Sequence, residues 1–194
     1  LTEIRFLQNL TNVQSGLNVF FLLFAGTLVF FMQTGFAMLC AGSVRQKNVK
    51  NIMLKNLLDA CGGALGFWSV GYAFAYGGNT SDVTFIGTSN FFLRNNSTGP
   101  EYISFFFQFA FAATAATIVA GTVAERCKMQ AYLCYSIFLT GFVYPVVVHS
   151  IWSANGFLSA FSEDPFRGIG VIDFAGSGVV HMTGGATALI AAIV

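Results

Sequence analysis

Charge is what this chain has least of. Only 9% of its 194 residues are Asp, Glu, Lys or Arg, against roughly 25% in soluble domains. So little charge argues for a membrane as the solvent. The formal net charge is +1, and no run of Lys and Arg forms a phosphate-binding patch, so no nucleic-acid partner is expected. The four cysteines, Cys40, Cys61, Cys127 and Cys134, show no CxxC or metal-ligand spacing, and three lie inside apolar runs as small core residues. Neither a disulfide framework, a metal nor a cofactor is implied. Proline is scarce, with three in the chain. One of them, Pro145, interrupts an apolar run that it should bend or bring to an end. The opening LTEIRFLQNL lacks the basic region, short apolar core and cleavage site of a secretory signal peptide. The chain does not begin with Met, and it closes on ALIAAIV inside an apolar run, so it is expected to be an N-terminal fragment of a longer membrane protein.

What is present is apolar: 55% of the residues are hydrophobic and 23 are phenylalanine. The gaps between charges define five candidate membrane spans, 16–42, 56–78, 102–124, 129–152 and 173–194. At 1.5 Å per residue the third reaches roughly 34 Å, enough to cross a hydrocarbon core of about 30 Å with some tilt. The runs are long and do not alternate, which favours helices over a barrel. The fold class expected is all-α, a polytopic membrane protein. Arg45, Lys47, Lys50 and Lys55 lie between the first two spans and Arg126 and Lys128 between the third and fourth, which places both loops in the cytoplasm and the N-terminus outside. The N-x-S/T acceptors Asn9, Asn79, Asn95 and Asn96 all fall in the opposite set of segments, as candidate glycosylation sites require.

DFAGSGVVHMTGG, residues 173–185, resembles the signature of the ammonium transporter (Amt/Mep/Rh) family. QTGFAMLCAGSVRQKNVKNIMLKNLLDA, IVAGTVAER and GFVYPVVVHSIW are similar to its plant and algal branch. The resemblance implies eleven transmembrane helices, a homotrimer with one pore per subunit, and a plasma-membrane location. It also implies inverted repeats of helices one to five and six to ten, with the substrate site at their interface. Residues 1–194 would then hold the first repeat.

Several residues have a plain role beside the one the resemblance implies. Phe107 and Phe111 lie four apart on one helical face. Among so many phenylalanines, packing or lipid contact is their ordinary use. The resemblance assigns Phe111 to the external recruitment site and pore gate, and Phe107 to the pore lining. Trp152 suits an interface anchor; the resemblance makes it part of an external cation site, where a ring face attracts a small cation by roughly 0.5 to 2 kcal/mol. Potassium would be attracted too, so hydrogen-bond acceptors must complete the selection. Asp173 is placed to cap the fifth helix, and by resemblance its charge also steadies the recruited cation. Its replacement by Asn should keep the cap and lose the charge. His181 lies eight residues on, roughly 12 Å along a helix. An intramembrane histidine either bridges helices or marks a path, and the resemblance makes it one of two pore histidines. His149 reads as structural, Glu125 and Arg126 as interfacial charge and helix termination, and Lys55 with Asp59 as a local i,i+4 ion pair.

The function expected is transport: recruitment of ammonium at Trp152, Phe111 and Asp173, deprotonation, and conduction of ammonia past His181, with methylammonium as an analogue. An ammonium receptor with little flux, on the same scaffold, is the alternative. An enzyme is not expected. A hydrolase using Asp173, His181 and Ser150 or Ser177 would lack the G-x-S-x-G elbow, and GSG departs from the G-x-G-x-x-G nucleotide pattern at His181.

Overall fold

In the computed structural model, which describes residues 2–78 and 83–194, helices carry the structure. The only pairing between extended segments among these residues is two isolated bridges, Thr84 with Gly156 and Ser159 with Val171. Helix α1 is Thr2–Ser43. Helix α2 runs Val49–Gly66, passes through a π-helical turn at Phe67–Gly71 and finishes as Tyr72–Tyr76. Helix α3 is Gly99–Val123. Helix α4 combines Met129–Phe138, a π turn at Leu139–Val143, and Tyr144–Trp152. Helix α5 opens with a π segment, Ser177–Met182, and continues as Thr183–Ile193.

Among the described residues, three helices are long and apolar enough to cross a membrane: Ile4–Ser43, Gly99–Val123 and Met129–Trp152. Ser177–Ile193 is apolar but shorter, and α2 carries Lys50, Lys55 and Asp59 in its first turns. Phe20, Phe21, Phe24, Leu28 and Phe31 of α1 are exposed, a surface for lipid rather than water.

Helix α3 is the central post. Its start is set by a capping box in which the Glu101 carboxylate accepts from the backbone N–H groups of Ser97, at 2.6 Å, and Thr98, at 2.8 Å. Pro100 stands in the first turn, where its missing N–H does no harm. Its middle is small: Ala112, Ala113, Ala115, Ala116 and Ala120 are fully buried, which lets α1 and α5 close against it as small residues do in membrane packing. Gln33 of α1 bridges two of its threonines, donating to Thr114 Oγ1 at 3.1 Å and accepting from Thr117. On the α5 side, a Cβ added to Gly184 would lie 2.9 Å from Ile118 and 3.0 Å from the Ala115 carbonyl.

The expected bend at Pro145 takes a particular form. The helix continues through it to Trp152, and the irregularity falls one turn earlier, in the π turn at Leu139–Val143. A widened turn accommodates a residue that cannot donate to the carbonyl four positions back. The π turns of α2 and α4 lie against each other, and glycine makes this possible. A Cβ at Gly71 would sit 2.4 Å from the Thr140 carbonyl oxygen, and one at Gly66 2.7 Å from that of Ile137.

At the basic end of the bundle, side chains satisfy helix ends. Lys55, buried, donates to the carbonyls of Ala124 at 2.9 Å and Cys127 at 2.7 Å, two acceptors at the C-terminal end of α3. Asp59 accepts from the Tyr132 hydroxyl. The expected Lys55–Asp59 ion pair is therefore not formed, because each group finds a partner on another helix. Glu125 does more than terminate α3: it accepts from the Arg45 backbone N–H at 2.9 Å, from Arg45 Nε at 3.0 Å and from Asn48 Nδ2 at 2.7 Å. Arg126 reaches the Ala192 carbonyl of α5 at 3.2 Å. At the opposite end, His149 is buried, as a structural histidine should be. Nδ1 pairs with the Ala75 carbonyl at 2.9 Å, and Nε2 with Thr84 Oγ1 at 2.8 Å. The carbonyl can only accept, so Nδ1 is the donor in that pair.

Two outcomes follow from these contacts. Gly71→Val should lower the thermal midpoint of the detergent-purified protein by an amount equivalent to about 1–3 kcal/mol of overpacking. Gly16→Ala, inside α1 where nothing lies within 4 Å, should not lower it, since Ala is the better helix former. The hydrogen bonds from the Arg45 side chain, then those from Asn48 and the Arg45 backbone, pull the Glu125 carboxyl down from 4.5 to about 2. A depressed folded-state value means that this contribution to stability is complete above pH 4.5 and fades as pH falls to about 2. The thermal midpoints of the wild type and Glu125→Gln should therefore differ at neutral pH and converge in acid.

Candidate functional site

The sharp turn before α5 builds the site. Asp173 stands four residues ahead of the first helical residue, Ser177, and its carboxylate folds over the open end of the π segment. Oδ1 accepts from the N–H groups of Gly176 at 2.8 Å and Ser177 at 2.9 Å, and Oδ2 from those of Gly178 at 2.9 Å and Val179 at 2.7 Å. Four donors that a helix start leaves unpaired are thus met by one side chain. The expected cap is present, but both oxygens make it. An Asn in its place would turn an NH2 toward one pair of N–H groups, so the substitution cannot keep the cap intact as the sequence led us to expect. Gly176 has φ +90, in the left-handed region where glycine is favoured. A Cβ there would meet Val180 at 2.8 Å and the Trp152 ring at 3.4 Å.

Trp152, the last residue of α4, is held by the same aspartate from its other side: the indole N–H donates to the Asp173 backbone carbonyl at 2.6 Å. Its ring meets Phe111 of α3 edge to face, with centroids 5.6 Å apart and planes at 75°, and Phe111 meets Phe107 in the same manner at 5.2 Å. Phe107, Phe111, Trp152 and Asp173 line a single cavity of about 330 Å³ with Tyr76, Gln108, Phe161, Ile172 and Phe174. The structure therefore brings together four of the site residues read from sequence. Sequence reasoning passed over Gln108 and Tyr76. Gln108 had a visible signal, as the lone amide in FFFQFAF; Tyr76 had none.

His181 is not in that cavity. It is exposed on the π segment, next to the buried pair Val179 and Val180. The 12 Å separation from Asp173 assumed an unbroken α-helix and does not apply, since the helix begins at Ser177 with a π turn. A second cavity, of about 630 Å³, opens between α1 and α3 toward the basic end, lined by residues including Phe36, Leu39, Cys40, Thr117, Ile118 and Gly121. Gly176 lies at the level of Trp152 and Gly184 at that of Ile118. His181 therefore falls between the two cavities along α5.

Residues 19–194 match the Ammonium Transporter Family. The chain belongs to the ammonium transporter family. It is 53% identical over 175 residues to ammonium transporter 1 member 3 of Solanum lycopersicum, covering 90% of this chain and 37% of that protein. It is 56% identical over 160 residues to ammonium transporter 1 member 1 of Oryza sativa subsp. japonica, covering 81% of this chain and 32% of the relative. Among solved structures, one described as a sensor Amt protein superposes with a TM-score of 0.80 at 38% identity, covering 94% of this chain and 45% of that one. Mep2 of Candida albicans superposes with a TM-score of 0.75 at 28% identity, covering 88% and 37%. The chain spans about a third of the length of these curated relatives.

The relatives it matches bear the names of transporters. The serines considered for a hydrolase are otherwise engaged: Ser150 donates to the Val146 carbonyl at 2.8 Å and Ser177 to Asp173 Oδ1 at 3.3 Å. Of the sequons, Asn9 is exposed on α1 and Asn95 is exposed on the loop before α3. Asn96 accepts from Asn90 at 2.8 Å and buries its own amide nitrogen. Asn79 lies outside the described residues.

Because the Asp173 cap is bidentate, Asp173→Asn should lower the thermal midpoint by an amount equivalent to about 1 kcal/mol, within the range for lost helix caps. Indole fluorescence should shift as Trp152 loosens. An unaltered midpoint would show that one oxygen suffices.

Proposed function

We propose that the whole protein, of which this chain supplies the first inverted repeat, carries ammonium-derived nitrogen across the plasma membrane. The observation that supports it best is the crossed pair of Phe111 and Trp152 over a cavity that also holds Asp173. Ring faces and a nearby fixed negative charge attract a small cation, with a strength modest enough to let it leave. Passage beyond the rings requires the cation to hand its proton to water at the cavity mouth, since a charged side chain at mid-bilayer already costs about 2.5–3.5 kcal/mol and a bare ion more. Ammonia then moves past His181, whose exposed position on this chain would face the second half of the pore, toward the inner cavity. In this reading α2 and α5 also cross the bilayer, the N-terminus is outside, and three copies assemble with one pore each. Asn95 is then the sequon best presented for glycosylation.

In the whole transporter, expressed in cells that depend on ammonium uptake, Trp152→Leu should raise the half-saturation concentration by about 2- to 30-fold, the equivalent of losing a cation–π contact. His181→Ala should abolish growth on low ammonium. Normal uptake of labelled methylammonium by both variants would refute the assignment. A neighbouring structure bears the name of a sensor, and the receptor reading has its own signature: saturable ammonium binding by the wild type without methylammonium flux.

A further inference from the structure

Two aromatic faces attract any small monovalent cation, so they cannot by themselves separate ammonium from potassium. The difference lies in shape: ammonium points four N–H donors in fixed directions, whereas potassium must replace a whole shell of water oxygens. A selective site therefore needs a few well-placed acceptors and no more.

Most polar groups around the outer cavity are already engaged. Both carboxylate oxygens of Asp173 accept backbone N–H groups, the Trp152 N–H is donated to a carbonyl, and both ring nitrogens of His149 are paired. Two oxygens remain. Gln108 Oε1 and the Tyr76 hydroxyl belong to residues that line the cavity, and each is buried with no hydrogen-bond partner among the described residues. A buried acceptor left unpaired is costly and calls for a reason.

We propose that Gln108, with Tyr76 beside it, supplies the hydrogen-bond acceptors that select ammonium over potassium in the outer cavity. This deepens the recruitment reading above and rests on it. The amide oxygen is neutral, so it accepts an N–H of the cation without adding a charge that would trap it. Gln108 lines the same cavity as Phe107 and Phe111, so rotation of its amide would present the oxygen to a cation drawn to their rings.

The test measures methylammonium uptake by the whole transporter, with ammonium and potassium as competitors, in the wild type, Gln108→Leu and Tyr76→Phe. Gln108→Leu should raise the half-saturation concentration about tenfold, as expected for a lost hydrogen bond to a charged group, with a smaller change in maximal rate, and make uptake more sensitive to potassium. Tyr76→Phe, which removes a single oxygen, should shift both quantities in the same direction by about threefold, as for a weaker hydrogen bond. It remains informative if Gln108→Leu fails to reach the membrane. A merely structural Gln108 would lower thermal stability and leave half-saturation and potassium sensitivity unmoved in both variants, which overturns the proposal alone. Wild-type protein that takes up no methylammonium overturns the transport reading and this proposal with it.

Discussion

The carboxylate of Asp173 is the interaction on which the end of the bundle opposite the basic loops depends. Its two oxygens gather four backbone N–H groups at the start of α5, while its own carbonyl takes the indole N–H of Trp152. One residue thereby ties the end of α4 to the start of α5, and with them the ring that crosses Phe111 of α3. The charge is held in place by the dipoles it satisfies. It lends its field to the cavity while its lone pairs remain occupied, so any cation drawn there would have to find its acceptors elsewhere.

The rest of the bundle answers a related demand, that backbone groups away from water be satisfied inside the protein. Lys55 and Arg126 give their donors to carbonyls at the ends of α3 and α5, and Glu125 gathers the N–H groups of Arg45 and the Asn48 amide. These charges act as fasteners between helices. The π turns in α2 and α4 are tolerated on the same terms. They face each other at Gly66, Gly71 and Thr140, where an added Cβ would press on a backbone carbonyl oxygen.

Much of this was legible in the residues. The sparse charge and long apolar runs announced membrane helices, T-x-x-E at 98–101 marked the start of α3, and the 173–185 signature carried the family. Phe107, Phe111, Trp152 and Asp173 were named from their types and spacing together with that resemblance, and they meet in one cavity. The partners of Lys55 and Asp59 were misread, because i,i+4 spacing describes what is possible along one helix and says nothing of a neighbouring tyrosine or an open helix end. The fifth apolar run begins at Asp173 whereas α5 begins at Ser177, since a loop followed by a π turn looks, in sequence, like a continuous apolar run. Gln108 stands out in sequence as the lone amide of FFFQFAF, but that its oxygen is buried and unpaired is seen only in the fold.

The sequence by itself determined that the chain is a set of apolar helices with basic loops at one end, since composition and periodicity set which segments prefer lipid. It also determined family membership, which resides in ordered motifs. Tertiary structure alone decided which polar atoms are used up and which are left over. Hydrogen bonds between distant segments depend on where helix ends and side chains meet in space, and local spacing does not encode that.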